Sequence, residues 1–473
     1  MKDERLDLYT SIVPNRRQLI IQEMKYYAFI HYGVNTFTNR EWGNGRESES
    51  IFNPKKQNTD QWCEAIADAG MKGVILTCKH HDGFCLWQTK TTEHSVKNSP
   101  YKNGNGDVVR EVSESCKKYE LKFGVYLSPW DRNAKCYGTP EYNDFYIEQL
   151  TELLTDYGEI FMLWLDGACG AKADGKPVQD YDFERIWSTA LELQPNIVMS
   201  GCAPDVRWIG NESGKTRESE WNVVPKFQYD KQNFAVNCQT DDDMKAFQKR
   251  CQDVMLPDMG SREFLSNFDE FMWYPAEVDV SIRLGWFYHP LQIFTLKSLN
   301  HLMKIYYNSA GNNSLMLLNI PPNKDGLLAK SDVKRLREMG KWIRKENELL
   351  IRQAKTEKSD DGYTIKLTFP RQSVDRISLS EDTTKSQRVE KFSIYADDKK
   401  IFNGTIIGFS KIAIFKPIIT DNLTVKIEEC RKEPYIQQAE VIATGAYRVK
   451  QKTSERTSSY TFRHNKRLKE QNP

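Results

Sequence analysis

A (β/α)8-like barrel followed by an antiparallel β-sandwich is the fold class this sequence predicts, and three observations predict it. Strand-like and helix-like segments alternate from about residue 20 to about residue 350, which implies parallel strands joined by crossover helices. Strand after strand in that region ends in His, Tyr, Trp or Asp, and β/α barrels gather such residues at their C-terminal strand ends. Beyond residue 350 the pattern changes to short alternating runs separated by turn residues, the signature of an antiparallel sandwich. The predicted division is a barrel over 1–352, a sandwich over 353–447 and a basic tail over 448–473.

Each element has its own reason. Tyr27 to His31 is a short apolar run that ends on polar residues. Asp60 has the place of an N-cap for a helix that ends at Gly70. Met71 to Cys78 reads as a buried strand, ending at Lys79-His80-His81-Asp82-Gly83. Asp107 to Tyr119 has helical spacing, and Lys122 to Leu127 is a strand followed by Ser128-Pro129-Trp130-Asp131. Pro140 to Tyr157 is helical, and Ile160 to Leu165 is a strand ending at Asp166-Gly167. Tyr181 to Leu193 is helical, Asn196 to Ser200 is a strand, and Lys330 to Leu350 is a charged helix. The sandwich strands are Tyr363–Phe369, Arg376–Ser380, Lys391–Tyr395, Lys411–Phe415 and Leu423–Glu428, with turns at Asp397-Asp398 and Asn403-Gly404. An open doubly wound sheet fits the same rhythm, but no G-x-G-x-x-G follows the first strand, which argues against its nucleotide-binding form.

Composition narrows the chemistry. The 473 residues carry 67 Lys and Arg against 65 Asp and Glu, a formal charge of +2. No basic excess is available to hold a phosphate backbone, so nucleic acid is not expected as a partner. The biased stretch is the end, where Arg448 to Pro473 reads as a solvated terminal tail. The ten cysteines form no C-x-x-C, and several sit inside apolar runs as small buried hydrophobes. No segment approaches the roughly 18 consecutive apolar residues of a membrane span. The start, MKDERLDLYTS, is charged and does not read as a signal peptide. The expectation is a cytoplasmic protein or a trimmed periplasmic or secreted one, with oligomeric state open.

Glycoside hydrolysis requires two carboxyls flanking one bond. Asp166, at a strand end and before a glycine, has the rigid setting a nucleophile needs. The alternative is an Asp that caps a helix or bonds a loop. The partner carboxyl is expected from a later loop, where spacing leaves Glu212, Glu218 and Glu220 open, each also readable as a solvated surface residue. His80 and His81 invite a metal reading, yet adjacent strand residues point to opposite faces and no H-E-x-x-H is present. Imidazoles that hydrogen-bond sugar hydroxyls, or a buried and satisfied histidine pair, fit better. No G-x-S-x-G elbow supports a serine nucleophile.

Six stretches come in order across residues 29 to 322: Phe29-Ile30-His31-Tyr32-Gly33, Glu41-Trp42, Lys79-His80-His81-Asp82-Gly83-Phe84, Tyr126-Leu127-Ser128-Pro129-Trp130-Asp131, Trp164-Leu165-Asp166-Gly167 and Leu317-Leu318-Asn319-Ile320-Pro321-Pro322. Together they resemble the α-L-fucosidases of glycoside hydrolase family 29. The resemblance implies a barrel with a C-terminal sandwich, a retaining mechanism without cofactor or metal, and a fucosylated oligosaccharide as substrate. It implies Asp166 as nucleophile and a fucose pocket of His31, Glu41, Trp42, His80, His81 and Tyr126, with Trp164 and Trp286 as walls. The stretches Arg207 to Glu212 and Glu277 to His289 resemble the subgroup that prefers α-1,3/1,4-linked fucose, which implies Glu212 as acid/base over Glu218 and Glu220. Asp166 must ionise, and nearby histidine or arginine groups are expected to keep its pKa low. Two other readings stay open: a retaining glycosidase for a related sugar such as an α-L-galactoside, and a catalytically silent carbohydrate-binding protein.

Overall fold

The computed structural model of the chain describes residues 2–172, 177–226, 256 and 258–449. Ten strands fall in the first part: β1 (Tyr26–Ile30), β2 (Gly73–Lys79), β3 (Lys122–Leu127), β4 (Ile160–Leu165), β5 (Val198–Gly201), β6 (Arg207–Trp208), β7 (Val223–Pro225), β8 (Phe271–Trp273), β9 (Ala276–Ser281) and β10 (Leu315–Asn319). All but β7 and β8 form one parallel sheet in the order β5-β4-β3-β2-β1-β10-β9-β6. A parallel bridge from Ser200 to Val206 brings its two edges together and closes the barrel. β7 and β8 pair antiparallel beside it.

Nearly every strand residue is buried because the barrel has apolar matter on both faces. Tyr27, Phe29, Ile75, Tyr126, Phe161, Met162, Trp164, Leu315 and Leu317 cluster inside. Their alternating neighbours, among them Ala28, Ile30, Val74, Leu76, Val125, Leu163 and Leu318, join the core under the helices. The helix Thr59–Asp68 shows how the outer ring is made: Trp62, Cys63, Ala65 and Ile66 face inward. Its N-cap is Asn58, whose side chain accepts from the Gln61 N–H, and not Asp60 as the sequence suggested. Asp60 lies inside the first turn, where it accepts from Ser115 and Lys118 of the next helix.

The second part holds β11 (Lys355–Lys358), β12 (Thr364–Glu381), β13 (Val389–Ala396), β14 (Lys399–Gly404), β15 (Lys411–Cys430) and β16 (Ile436–Ala443). They run antiparallel in the order β11-β12-β15-β13-β14, with β16 beside β12. Two predicted pairs of strands are single long strands here. β12 bends through bulges at 368–372 and 374–376 while pairing with β15 on one edge and with β11 and β16 on the other. Asp397 and Asp398, both with positive φ, make the predicted turn, whereas Asn403 and Gly404 pair within the sheet against Ser393 and Phe392. Five of the described cysteines are buried and none is bonded to another, while Cys136, Cys202 and Cys430 are half-buried; Cys238 and Cys251 lie outside the described residues, as does the predicted tail from residue 450.

The two parts are stitched together. Asn313 N–H donates to Ser410, Ile412 N–H to Gly311, and Phe409 N–H to the Asn313 side chain. Ile412 and Ile414 of β15 pack on the barrel core. No described helix is long and apolar enough to cross a membrane.

Candidate active site

The polar strand ends converge at one mouth of the barrel. Asp166 follows β4 and accepts from the Tyr126 hydroxyl at 2.9 Å and from the Ala168 N–H at 2.8 Å. Tyr126 in turn stacks on Trp164 with centroids 5.6 Å apart. Burial raises the Asp166 carboxyl above its ordinary value, and bonds from Tyr126, Ala168 and Gly167 oppose that rise.

The three histidines are neutral, which corrects the expected electrostatics. Burial drives His31 down to about 3; burial, with His81 and His31 nearby, drives His80 well below the ordinary imidazole value, and burial, with His31, Arg132 and Lys79 nearby, does the same to His81. They supply hydrogen-bonding atoms, and the ionised form of Asp166 is favoured by the tyrosine and backbone donors instead. Their tautomers follow from their partners. Asn319 Nδ2 donates to the Trp286 carbonyl and to Ser281, so its Oδ1 accepts from His31 Nδ1 at 2.9 Å. Ser128 donates to the Trp130 carbonyl, so its oxygen accepts from His81 Nδ1 at 2.8 Å. His81 Nε2 is then an acceptor, 3.9 Å from Asp166 Oδ2. His81 Nε2 is thus free to accept from a substrate hydroxyl, while Asp166 Oδ2 already takes the Tyr126 O–H. His80 lies parallel to Tyr126, and Trp42 meets His81 and Trp130 edge-on at 5.1 and 5.2 Å.

Glu41 is a buried carboxyl that accepts from the N–H groups of Trp286 and Phe287, the first at 2.7 Å. Burial pushes it up to about 7. A Cβ on Gly285 would press on the carboxyl of Glu41 and the amide of Gln292, so glycine lets this loop close over the carboxyl without displacing either. The loop brings the Trp286 ring 5.0 Å from His31.

The three candidate partner carboxyls separate cleanly. Glu212 is half-buried, accepts a side-chain hydrogen bond from Trp286, and is pushed up to about 7 by burial with the charges of Asp166 and Glu41 adding to it. Glu218 is exposed. Glu220 is fully buried against Arg207 and, at 3.2 Å, Arg217, a structural ion pair.

Several site residues escaped the sequence reading. Glu277 accepts from Tyr27, from Trp164 Nε1 at 2.7 Å and from Ser200 at 2.9 Å, so it braces the Trp164 wall from below. Asp279 accepts from Trp208 Nε1 at 2.7 Å. Asn319 orients His31. A partial signal was there: Glu277, Asp279 and Ser281 put polar groups at every second position of a strand with apolar residues between, which places them on one face; only the closed barrel turns that face inward. Among the described residues no group of three His, Cys, Asp or Glu side chains could hold a metal ion.

Known proteins resemble this chain in sequence and fold. The family model described as alpha-L-fucosidase matches residues 13–348. Alpha-L-fucosidase 1 of Arabidopsis thaliana is 43% identical over 328 residues, covering 69% of this chain and 59% of that protein. A solved glycoside hydrolase 29 family member from an unknown rumen bacterium superposes with a TM-score of 0.78 at 34% identity, covering 94% of this chain and 80% of the other. A Ruminococcus gnavus fucosidase solved in complex with fucose gives 0.75 at 26% identity, covering 92% and 95%. On this evidence the chain belongs to the alpha-L-fucosidase family of glycoside hydrolases.

Proposed function

We propose that the protein is a retaining exo-α-L-fucosidase that removes terminal α-1,3/1,4-linked fucose from oligosaccharides or glycoconjugates. The observation that carries this reading is the pair Asp166 and Glu212. Both lie at the barrel mouth within each other's electrostatic reach, one held by donors that favour an anion and the other kept protonated up to about 7. A retaining enzyme needs that division of labour. Asp166 attacks the anomeric carbon while Glu212 protonates the departing oxygen; Glu212 then takes a proton from water as water displaces Asp166. His31, His80, His81, Glu41, Trp42 and Tyr126 bind the fucose, between the Trp164 and Trp286 walls. The α-1,3/1,4 preference is supported by the Arg207–Glu212 and Glu277–His289 stretches.

Fucose release from a Lewis-type trisaccharide, beside an aryl α-L-fucoside, tests the reading. Asp166→Asn is expected to lower kcat on both by roughly 10³-fold or more. Glu212→Gln is expected to cost about 10²–10⁴-fold on the trisaccharide and far less on an aryl fucoside whose phenolate leaves unprotonated. The first fucose formed is expected as the α anomer by NMR. The β anomer would sink the retaining mechanism, preference for the aryl substrate would sink the linkage preference, and release from an α-L-galactoside alone would move the substrate to a related sugar.

A further inference from the structure

β9 sends Glu277, Asp279 and Ser281 into the barrel, and all three are buried. Two of them have evident partners. Glu277 is engaged by Tyr27, Trp164 and Ser200, and Ser281 donates to the Gly285 carbonyl and accepts from Asn319. Asp279 accepts one indole N–H, from Trp208. What lies above it is the loop that carries Glu212. That loop docks on β9 through an antiparallel bridge between Ser213 and Val280. In this register Glu212 stands opposite Ser281 and diagonal to Asp279, on the same face of the bridge. Diagonal positions are about 7–8 Å apart, within reach of long side chains.

We propose that Asp279 is a positioning residue for Glu212: the two carboxyls pair at the barrel mouth and hold a proton between them until the departing oxygen takes it. The proposal rests on the reading of Glu212 as acid/base. The groups facing Asp279 are acidic: Glu277 from its own strand, Glu212 from the docked loop, and beyond it Asp166 and Glu41. The cations of the adjoining segments are engaged elsewhere, Arg207 on Glu220 and Lys297 on the carbonyls of Ser281 and Arg283. Burial, Glu212 and Glu277 all favour a protonated Asp279, and the Trp208 bond opposes them. In the chemical step the Asp166–carbon bond forms as the carbon–oxygen bond breaks. The proton on Glu212 moves to the departing oxygen, and water returns one when it displaces Asp166. The pair carries one negative charge in its working state, and losing the remaining proton would set two charges side by side, so that proton stays within reach of Glu212 to higher pH.

The test is the pH profile of kcat/KM for the full-length Asp279→Asn variant, measured with an alkyl fucoside and with a dinitrophenyl fucoside. The expected result is an alkaline limb lowered by about one pH unit for the alkyl substrate, little change for the dinitrophenyl one, and no further effect in a Glu212→Gln background. A limb at its wild-type position overturns the proposal, as does an equal loss on both substrates at every pH, which would mark a sugar contact or a structural role. Should Asp279→Asn fail to fold, Trp208→Phe removes the bond that favours ionised Asp279, so the proton stays there and the limb is expected to move the same way by less; an unmoved limb overturns the proposal here too. If Glu212→Gln itself leaves the alkyl rate intact, the acid/base reading has failed and this proposal with it. If Glu212→Gln behaves as an acid/base variant while neither other variant moves the limb, this proposal alone falls.

Discussion

Asp166 and Glu212 are both carboxyls raised by burial, so hydrogen bonding decides which ionises first. Asp166 accepts from a phenol and two backbone donors; Glu212 has one indole donor and two neighbouring carboxyls, Asp166 and Glu41. Activity needs Asp166 charged and Glu212 neutral. The expected kcat/KM profile is therefore bell-shaped, with its alkaline limb near 7 where Glu212 loses its proton. Its acid limb lies above the ordinary aspartate value because Asp166 is raised. Glu212→Gln, assayed with a dinitrophenyl fucoside, should keep the acid limb and lose the alkaline one. The same shifts bear on stability with a definite sign. Glu41 is raised from 4.5 to about 7 in the folded state, so its contribution is full below 4.5 and is lost as pH rises through about 7.

At the scale of elements, apolar runs carried most of the legible information. β3 and β4 begin and end at the residues their sequence predicts, because Phe123–Leu127 and Ile160–Leu165 are largely apolar and run into Ser128-Pro129 and Asp166-Gly167. Caps and turns were harder to read. Asn58 and Asp60 are both good N-cap residues, and only the three-dimensional path shows that Ser115 and Lys118 claim the aspartate. Asn403-Gly404 has strong turn chemistry, yet pairing with Ser393 and Phe392 overrides it. In the site, the residues at apolar strand ends were legible, and the face of β9 was not, since Glu277 and Asp279 look like surface acids until the barrel closes over them. Glu381, at the end of β12, is a further case. It is buried and accepts from the N–H groups of Arg388, Val389 and Gly408 at 2.8, 2.9 and 2.7 Å. Glu381→Ala orphans the buried N–H groups of Val389 and Gly408 and the half-buried one of Arg388, and is expected to cost about 3 kcal/mol or more by urea denaturation. A loss below about 1 kcal/mol would mean the loop simply opens to water.

At the scale of the molecule, barrel and sandwich share a buried ionic cluster. Arg376 of β12 reaches Glu346 of the helix Lys330–Glu348 and the Tyr307 hydroxyl, while Trp342 donates to that same hydroxyl at 2.6 Å. Glu346 and Arg376 are both buried, so removing one partner strands the other. We propose that the sandwich is a structural support that unfolds together with the barrel. Arg376→Ala is expected to destabilise the whole by about 3–5 kcal/mol, with one calorimetric transition shifted down. Two separated transitions would show the parts to be independent.

The closure of the barrel has a dynamic counterpart. β5 and β6 meet through the one bridge from Ser200 to Val206, while neighbouring pairs such as β9 and β10 share five residue pairs. The thinnest seam of the sheet thus runs between β5, the neighbour of the strand that ends at Asp166, and β6, which leads to Glu212. Native-state fluctuations concentrate where backbone pairing is sparse. Amides along this seam are the ones that trade protons with solvent first. An opening there would shift β6, and with it the loop of Glu212, away from β4 and Asp166, so on warming the catalytic geometry is expected to be lost before the shape.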